Sequence, residues 1–192
     1  DPFDDFKFKE GYFSFCNWNL NTLSKDDFSR VTLLEAHNSI YQYQIISLCE
    51  TSLNGNTRPP DNILKNYNFF SSDHPSSEKK GGVGIFYKEN LPLKIRKDLS
   101  FQESIVTEIN FGRKKIFFTV LYRNPVYKYG DPEFLDFMAK FESLHKNIMK
   151  EKPYATFYTG DFNAKSISWW SEGIDSDEGV QLDDLFSVIG LS

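Results

Sequence analysis

Asp161 and Asn163 stand two residues apart in Gly160-Asp161-Phe162-Asn163, directly after the run Tyr154-Ala155-Thr156-Phe157-Tyr158-Thr159. Neither polar side chain is cheap to bury without partners, and at the C-terminal end of a strand both project from a rigid platform. The same closing of an apolar stretch by polar groups recurs at Asn17-Trp18-Asn19, Cys49-Glu50-Thr51 and Tyr122-Arg123-Asn124. Four such strand ends imply one convergent site whose ligands are mostly oxygen. Glu50, a carboxylate at the end of an apolar strand, suits a hard divalent ion, Mg2+ or Mn2+, that keeps several waters. Asn17 and Asn19 offer amide oxygens without adding charge. Asp161 has the chemistry to orient or deprotonate an attacking water, and Asn163 and Tyr122 can hydrogen-bond phosphate oxygens. Together these parts make a metal-assisted phosphodiesterase. Arg123 and Lys165 are candidate phosphate contacts. Lys79 and Lys80 are too, with solvated loop charge as an equal reading.

The elements that must position these residues are legible from periodicity and turn chemistry. Strands are expected over 12–17, 44–50, 67–71, 83–87, 93–97, 105–111, 116–122 and 154–161. Gly112-Arg113-Lys114-Lys115 reads as a hairpin tip, and Gly81-Gly82 as a place where another backbone or a ligand comes close. Ser24 and Asp27 resemble a capping box. They open a helix whose face is Phe28, Val31, Leu34 and Asn38, with apolar support from Leu33 and Ile40. A short helix is expected near 62–66. Asp131-Pro132 opens a long helix to about Lys150, with Phe134, Phe137, Met138, Phe141, Leu144 and Ile148 as its buried stripe. A last helix runs from Asp177 or Glu178 to Ile189 and stops at Gly190. Helix-separated strands plus hairpins predict an α/β fold, two packed sheets with helices outside.

The 192 residues fit one domain, expected over 12–192 after a loose lead-in at 1–11. With 17% aromatic residues a packed core is expected rather than disorder. The net charge of −5 argues against non-specific nucleic-acid binding through the global field, though not against a few local phosphate contacts. No apolar run is long enough to span a membrane, and no signal peptide is visible. Cys16 and Cys49 make neither a zinc site nor a disulfide framework. They read as buried reduced thiols, near each other on the face opposite the site, and reduced thiols fit an intracellular protein, nuclear or cytoplasmic. The chain starts at Asp1 rather than Met, so it is expected to be a piece of something longer.

Five motifs in order, Asn17-Trp18-Asn19, Glu50-Thr51, Gly82-Val83-Gly84-Ile85, Leu121-Tyr122-Arg123-Asn124-Pro125 and Gly160-Asp161-Phe162-Asn163, resemble those of the endonuclease/exonuclease/phosphatase superfamily. Glu50-Thr51-Ser52, Lys79-Lys80-Gly81-Gly82-Val83 and Ala164-Lys165 followed by Trp169 make the chain most similar to the endonuclease domain of non-LTR (LINE-type) retrotransposons. The resemblance implies a four-layered α/β sandwich, two mixed sheets flanked by helices, with its last strands missing. It also implies Mg2+-dependent (or Mn2+-dependent) cleavage of a phosphodiester. It places Glu50 on the metal with Asn17 and Asn19 near it, Asp161 on the water, Asn163 and Tyr122 on phosphate, and Arg123, Asn124 and Lys165 on the substrate backbone. The partner implied is duplex DNA, nicked to prime reverse transcription, within a longer polyprotein that carries a reverse transcriptase.

One departure sets a further expectation. The family closes with a second aspartate and a Ser-Asp-His motif, whereas the histidines here are His37, His74 and His145, two in helices and one in a loop. Loss of a general acid or base typically costs about 10²- to 10⁴-fold, so this chain is expected to be weak or inactive. Two alternatives stand beside the nuclease reading: a non-catalytic remnant, and a same-fold phosphodiesterase acting on a lipid or small phosphoester. Trp169 and Trp170 read as packing rather than as DNA-groove contacts.

Overall fold

The computed structural model describes residues 13–23, 29–54, 59–60, 63–73, 81–169 and 173–191. The expected lead-in at 1–11, the pair Ser24 and Asp27, His74, Lys79, Lys80 and Trp170 lie outside the described residues. The chain divides into two compact units, Asp1–Tyr122 with Pro153–Asp161, and Arg123–Lys152 with Phe162–Ser192.

Among the described residues the first unit holds eight strands and one helix: β1 (Phe15–Asn19), α1 (Ser29–Tyr41), β2 (Ile45–Cys49), β3 (Tyr67–Ser72), β4 (Val83–Lys88), β5 (Leu93–Ile95), β6 (Ser104–Phe111), β7 (Lys114–Tyr122) and β8 (Ala155–Asp161). They form two mixed four-stranded sheets, ordered β1-β2-β4-β3 and β5-β6-β7-β8. Each sheet ends in one parallel pair, β1 with β2 and β7 with β8, and is otherwise antiparallel. A parallel pair needs a crossover, and the chain supplies α1 between β1 and β2.

Period-two alternation between two covered faces explains why β2 is buried throughout. Ile45 and Cys49 face the other sheet, in a core with Val83, Ile85, Ile105, Phe118 and Val120. Ile46 and Leu48 face the opposite way, against Val31 and Leu34 of α1. The expected α1 face therefore holds at Val31 and Leu34, but Leu33 and Ile40 are exposed rather than supporting it. Asn38 earns its place on that face by accepting hydrogen bonds from the Tyr43 N–H and the Tyr67 hydroxyl, both at 3.0 Å. The 62–66 helix does not form in the described part, where 63–66 is a turn. The β6–β7 hairpin closes on Gly112-Arg113 alone, with Gly112 at φ 60°.

The second unit holds α2 (Pro132–Lys150) and α3 (Asp177–Ile189). Phe134, Phe137, Phe141, Leu144 and Ile148 are buried on α2 as predicted, whereas Met138 is half-buried and His145, outside the predicted stripe, is buried with them. Asp131 is the N-cap by position, yet its side chain makes no cap bond. Its Oδ2 instead accepts from the Lys128 N–H at 2.8 Å, and this closes the preceding turn. Edge-to-face aromatic contacts gather Phe137, Phe141 and Phe186 around Phe162, with centroids 5.7–6.5 Å from its ring. Trp169 packs on Phe186 at 5.4 Å, in line with its reading as a packing residue. Ser176 caps α3 by accepting from the Gly179 N–H at 3.0 Å, and Gly190 ends it at φ 74°.

Candidate active site

β1 runs two residues further than its sequence pattern suggests, so Asn17 and Asn19 both lie inside the strand. Alternation turns both toward the facing sheet. β8 of that sheet ends at Asp161, paired with Tyr122 of β7. Gly160 makes this ending possible: its φ is 140°, and a Cβ there would sit 1.8 Å from the Leu121 carbonyl oxygen. Only glycine lets β8 approach β7 this closely at the strand end.

Three of the predicted site residues meet directly. The Asn19 Nδ2 donates to Glu50 Oε1 and to Asp161 Oδ2, both at 2.9 Å. One amide thus bridges a carboxylate from each sheet. Carboxylates accept only, so the amide must present its nitrogen to them. Its Oδ1 accepts from the Asn21 N–H at 3.1 Å. This reverses the expectation that Asn19 offers its oxygen to a cation: to do so the amide has to turn over.

Asn17 is engaged lower down. Its Oδ1 accepts from Ser47 Oγ at 2.9 Å and from the Cys49 thiol at 3.9 Å, and its Nδ2 donates to the Gly160 carbonyl at 3.4 Å. It therefore ties β1 to the end of β8, and its oxygen, expected near the metal, is taken up by protein donors. Ser47 escaped the sequence reading. The signal was there, a lone hydroxyl inside the buried run Ile45-Ile46-Ser47-Leu48-Cys49.

Glu50 follows β2 in the left-handed region, at φ 54°, and Asn21, Thr22 and Ser52 beside it are left-handed too. Such backbone costs energy at every non-glycine position, and most of all at the β-branched Thr22, whose φ is 87°. The segments hold one another: the Thr22 N–H donates to the Glu50 carbonyl at 2.7 Å and the Leu23 N–H to the Thr51 carbonyl at 2.9 Å. Gly81 and Gly82 approach the same loop as the sequence suggests, accepting from the Ser52 and Thr51 N–H groups.

The two cysteines are free thiols but do not share a face. Cys16 packs on the α1 side and Cys49 between the sheets, directly beneath the site, because paired parallel strands alternate in step and the two residues sit out of step. Burial pushes the Cys49 thiol up to about 12, helped by the charges of Asp161, Glu50 and Glu103, and burial pushes Cys16 up to about 11. Both are neutral thiols and inert as nucleophiles.

Tyr122 is 3% exposed and its ring belongs to the core between the sheets. Packing accounts for the ring, and a phosphate role falls to its hydroxyl alone.

In the second unit, two predicted substrate contacts have other duties. Arg123 is 1% exposed. Its guanidinium donates to the carbonyls of Phe162 at 2.5 Å and Asn124 at 3.3 Å, and to those of Asn163 and Tyr127, and it lies 5.5 Å from the Phe134 ring centre. It is a bracket for two turns and presents no charge to a phosphate. Asn124 is likewise buried, its Oδ1 accepting from the Val126 N–H at 3.0 Å as an Asx-type turn. Asn163 stands at φ 47° and donates its Nδ2 to the Arg123 carbonyl at 2.8 Å. Lys165 is exposed and keeps its ammonium in solvent. His145 is buried in α2 and hydrogen-bonded to the Ile189 backbone. His37 of α1, in the first unit, stacks on Tyr43 and meets Tyr41 at a tilt.

Among the described residues no group of three or more His, Cys, Asp and Glu is gathered as a metal centre. Glu50 and Asp161 are the two carboxylates that the Asn19 amide brings together. That donor set, oxygen-only and doubly negative, fits a hard divalent ion completed by water and substrate oxygens. Among the described residues no helix is long and apolar enough to cross a membrane.

Comparison with known proteins bears on this arrangement. No curated protein matches the sequence. Among solved structures, the chain is similar to the endonuclease domain of TRAS1, a telomere-specific non-LTR retrotransposon, at 17% identity and a TM-score of 0.69, covering 93% of this chain and 71% of that one. It is similar to the AP endonuclease LMAP from Leishmania major, at 13% identity and a TM-score of 0.69, covering 91% of this chain and 66% of that one. A 3′ phosphatase, NExo from Neisseria bound to product DNA hairpin, matches at 15% identity and a TM-score of 0.64, covering 92% and 71%. At these identities the likeness shows the fold, the α/β sandwich of two mixed sheets with helices. The model of the Endonuclease/Exonuclease/phosphatase family matches residues 16–187, nearly the whole chain, and the chain belongs to that family of metal-dependent phosphoesterases.

Proposed function

We propose that this chain is a divalent-cation-dependent phosphodiesterase domain whose substrate is DNA, of the nicking type found in non-LTR retrotransposons. The observation that carries the reading is the Asn19 amide joining Glu50 and Asp161 across the two sheets. A fold has no packing need for two carboxylates converging on one exposed amide. Two negative charges there repel a phosphodiester, so a cation must reverse the local sign before substrate can approach. Members of the family generally use Mg2+. Glu50 would hold the ion, with Asp161 beside it, and the ion would supply Lewis-acid stabilisation of the phosphoryl oxygens. Asp161 orients the attacking water and takes its proton. Asn17 fixes the end of β8 and so the place of Asp161. The Tyr122 hydroxyl is a phosphate donor in the same unit, and the sequence motif assigns Asn163 and Lys165 of the second unit to phosphate as well. DNA as the partner is supported by relatives solved with DNA, one with a product hairpin and one with a single-strand product. A polyprotein context with a reverse transcriptase is supported by the likeness to the TRAS1 domain.

The test is nicking of supercoiled plasmid by the purified chain in Mg2+. Slow nicking is expected, since His37, His74 and His145 all precede Gly160-Asp161-Phe162-Asn163, whereas the closing histidine of the family follows that motif. Chelator, Glu50→Ala and Asp161→Ala should each abolish it, the last by roughly 10²- to 10⁴-fold. Nicking that survives Glu50→Ala overturns the reading; no nicking at any protein concentration favours a non-catalytic remnant.

A further inference from the structure

Glu103 lies outside every motif of the sequence, one residue before β6. It is 3% exposed and adopts a left-handed φ of 58°. A buried carboxylate in strained backbone is costly on both counts, so the surrounding structure must hold it there. Its Oε1 accepts from the Gly82 N–H at 3.0 Å, and its own carbonyl accepts from the Tyr122 N–H at 3.0 Å. The chain of bonds continues from Gly82. The Gly82 carbonyl accepts from the Thr51 N–H at 3.3 Å, and the Gly81 carbonyl from the Ser52 N–H at 2.9 Å. Glu103 therefore links the end of β7, in one sheet, through its carbonyl, to the loop that follows Glu50, in the other, through its side chain and Gly82. Thr51 does not hold that loop through its own hydroxyl, which is buried and makes no hydrogen bond among the described residues.

We infer that Glu103 is a positioning residue that sets the Glu50 loop against the Tyr122–Asp161 strand end, and so sets the affinity of the site for its divalent cation. The inference rests on the reading of Glu50 as a cation ligand. Partners one bond removed from a metal ligand typically govern about 10- to 100-fold in affinity. What matters here is the reach of the acceptor to the Gly82 N–H rather than the charge. That separates this role from a simple electrostatic one.

Two variants of the full chain make the separation. Glu103→Gln keeps an acceptor at the same reach and removes the charge. Glu103→Asp keeps the charge and withdraws the acceptor by one methylene. Mn2+ affinity is read from the paramagnetic resonance of free Mn2+, with Glu50→Ala as the reference for loss of the site. Amide exchange at Gly82 and Thr51, measured without cation, reads the bracing directly. Expected are parent-like affinity and protection in Glu103→Gln, and about tenfold weaker Mn2+ binding with faster exchange at both amides in Glu103→Asp. The reverse order, or three equal affinities above that of Glu50→Ala, overturns the inference while leaving the cation site standing. A parent chain that binds Mn2+ no better than Glu50→Ala overturns the cation reading, and the inference with it. Both variants retain a polar side chain of nearly the native size, so circular dichroism should confirm folding in each.

Discussion

Arg123→Lys separates a structural bracket from a phosphate contact. The guanidinium reaches two turns at once: Nε and Nη2 serve the carbonyls of Phe162 and Asn163, while Nη1 serves those of Asn124 and Tyr127. A lysine ammonium is a single point with three donors and cannot span that fork. At least one pair of carbonyls loses its donor in a position where water does not replace it. Hydrogen bonds to charged donors are worth about 1.5 kcal/mol each at the lower end, so the loss comes to about 3 kcal/mol. For a chain of this size that lowers the thermal midpoint by about 6–12 °C. Thermal and urea unfolding by circular dichroism measure it, and anisotropy of a labelled DNA duplex, well below the midpoint, measures binding in parallel. A phosphate contact gives the opposite signature: an unchanged midpoint, weaker DNA binding and a shallower salt dependence. That pair of results would refute the bracket and restore the expectation drawn from the motif.

Gly160→Ala places a Cβ 1.8 Å from the Leu121 carbonyl, whereas one at Gly112 meets nothing within 4 Å. Both have positive φ, so Gly160→Ala should fall below Gly112→Ala in thermal midpoint by several degrees and lose nicking; equal midpoints would contradict the close approach of β8. His145 is held below its ordinary pKa of 6.5 by burial. The unfolded chain therefore takes up a proton that the folded chain refuses. Stability is present in full above about pH 6.5 and declines as pH falls through the window down to the lowered folded value. The urea midpoint should drop as the pH falls through about 6.5, by less in His145→Gln. Asn19→Ala removes the donor shared by Glu50 and Asp161, and should enlarge the upward shift in Tm produced by Mg2+; an unchanged shift would speak against a shared cation site.

The strands carrying the site were readable because β2, β6, β7 and β8 combine apolar runs with abrupt polar ends. The limits of that signal show at β1, where alternating exposure over Phe-Cys-Asn-Trp-Asn blurs the end of the strand. They show again at α1, where Leu33 and Ile40 look like core on a helical wheel and face solvent. Periodicity gives a face its width, but only the neighbouring sheet decides how much of that width is covered. Cys16 and Cys49 mark the same limit. Both precede a polar strand-end residue, yet pairing register sends one to each side of the sheet.

The residue types of the site, and their order along the chain, were determined by the sequence. Glu50, Asp161 and Asn19 are polar where burial without partners is too costly, so the sequence marks each as needing a polar partner. What each atom does was decided by tertiary structure. The Asn19 amide turns its nitrogen rather than its oxygen inward because two acceptors from different sheets arrive on the same side. Arg123 points at carbonyls rather than at phosphate because two turns, 40 residues apart in sequence at their furthest bonds, close around it. Glu103 carries no motif, and it connects the sheets only because their strand ends meet. Hydrogen-bond geometry is set by distance in space, which a linear pattern of residue types does not encode.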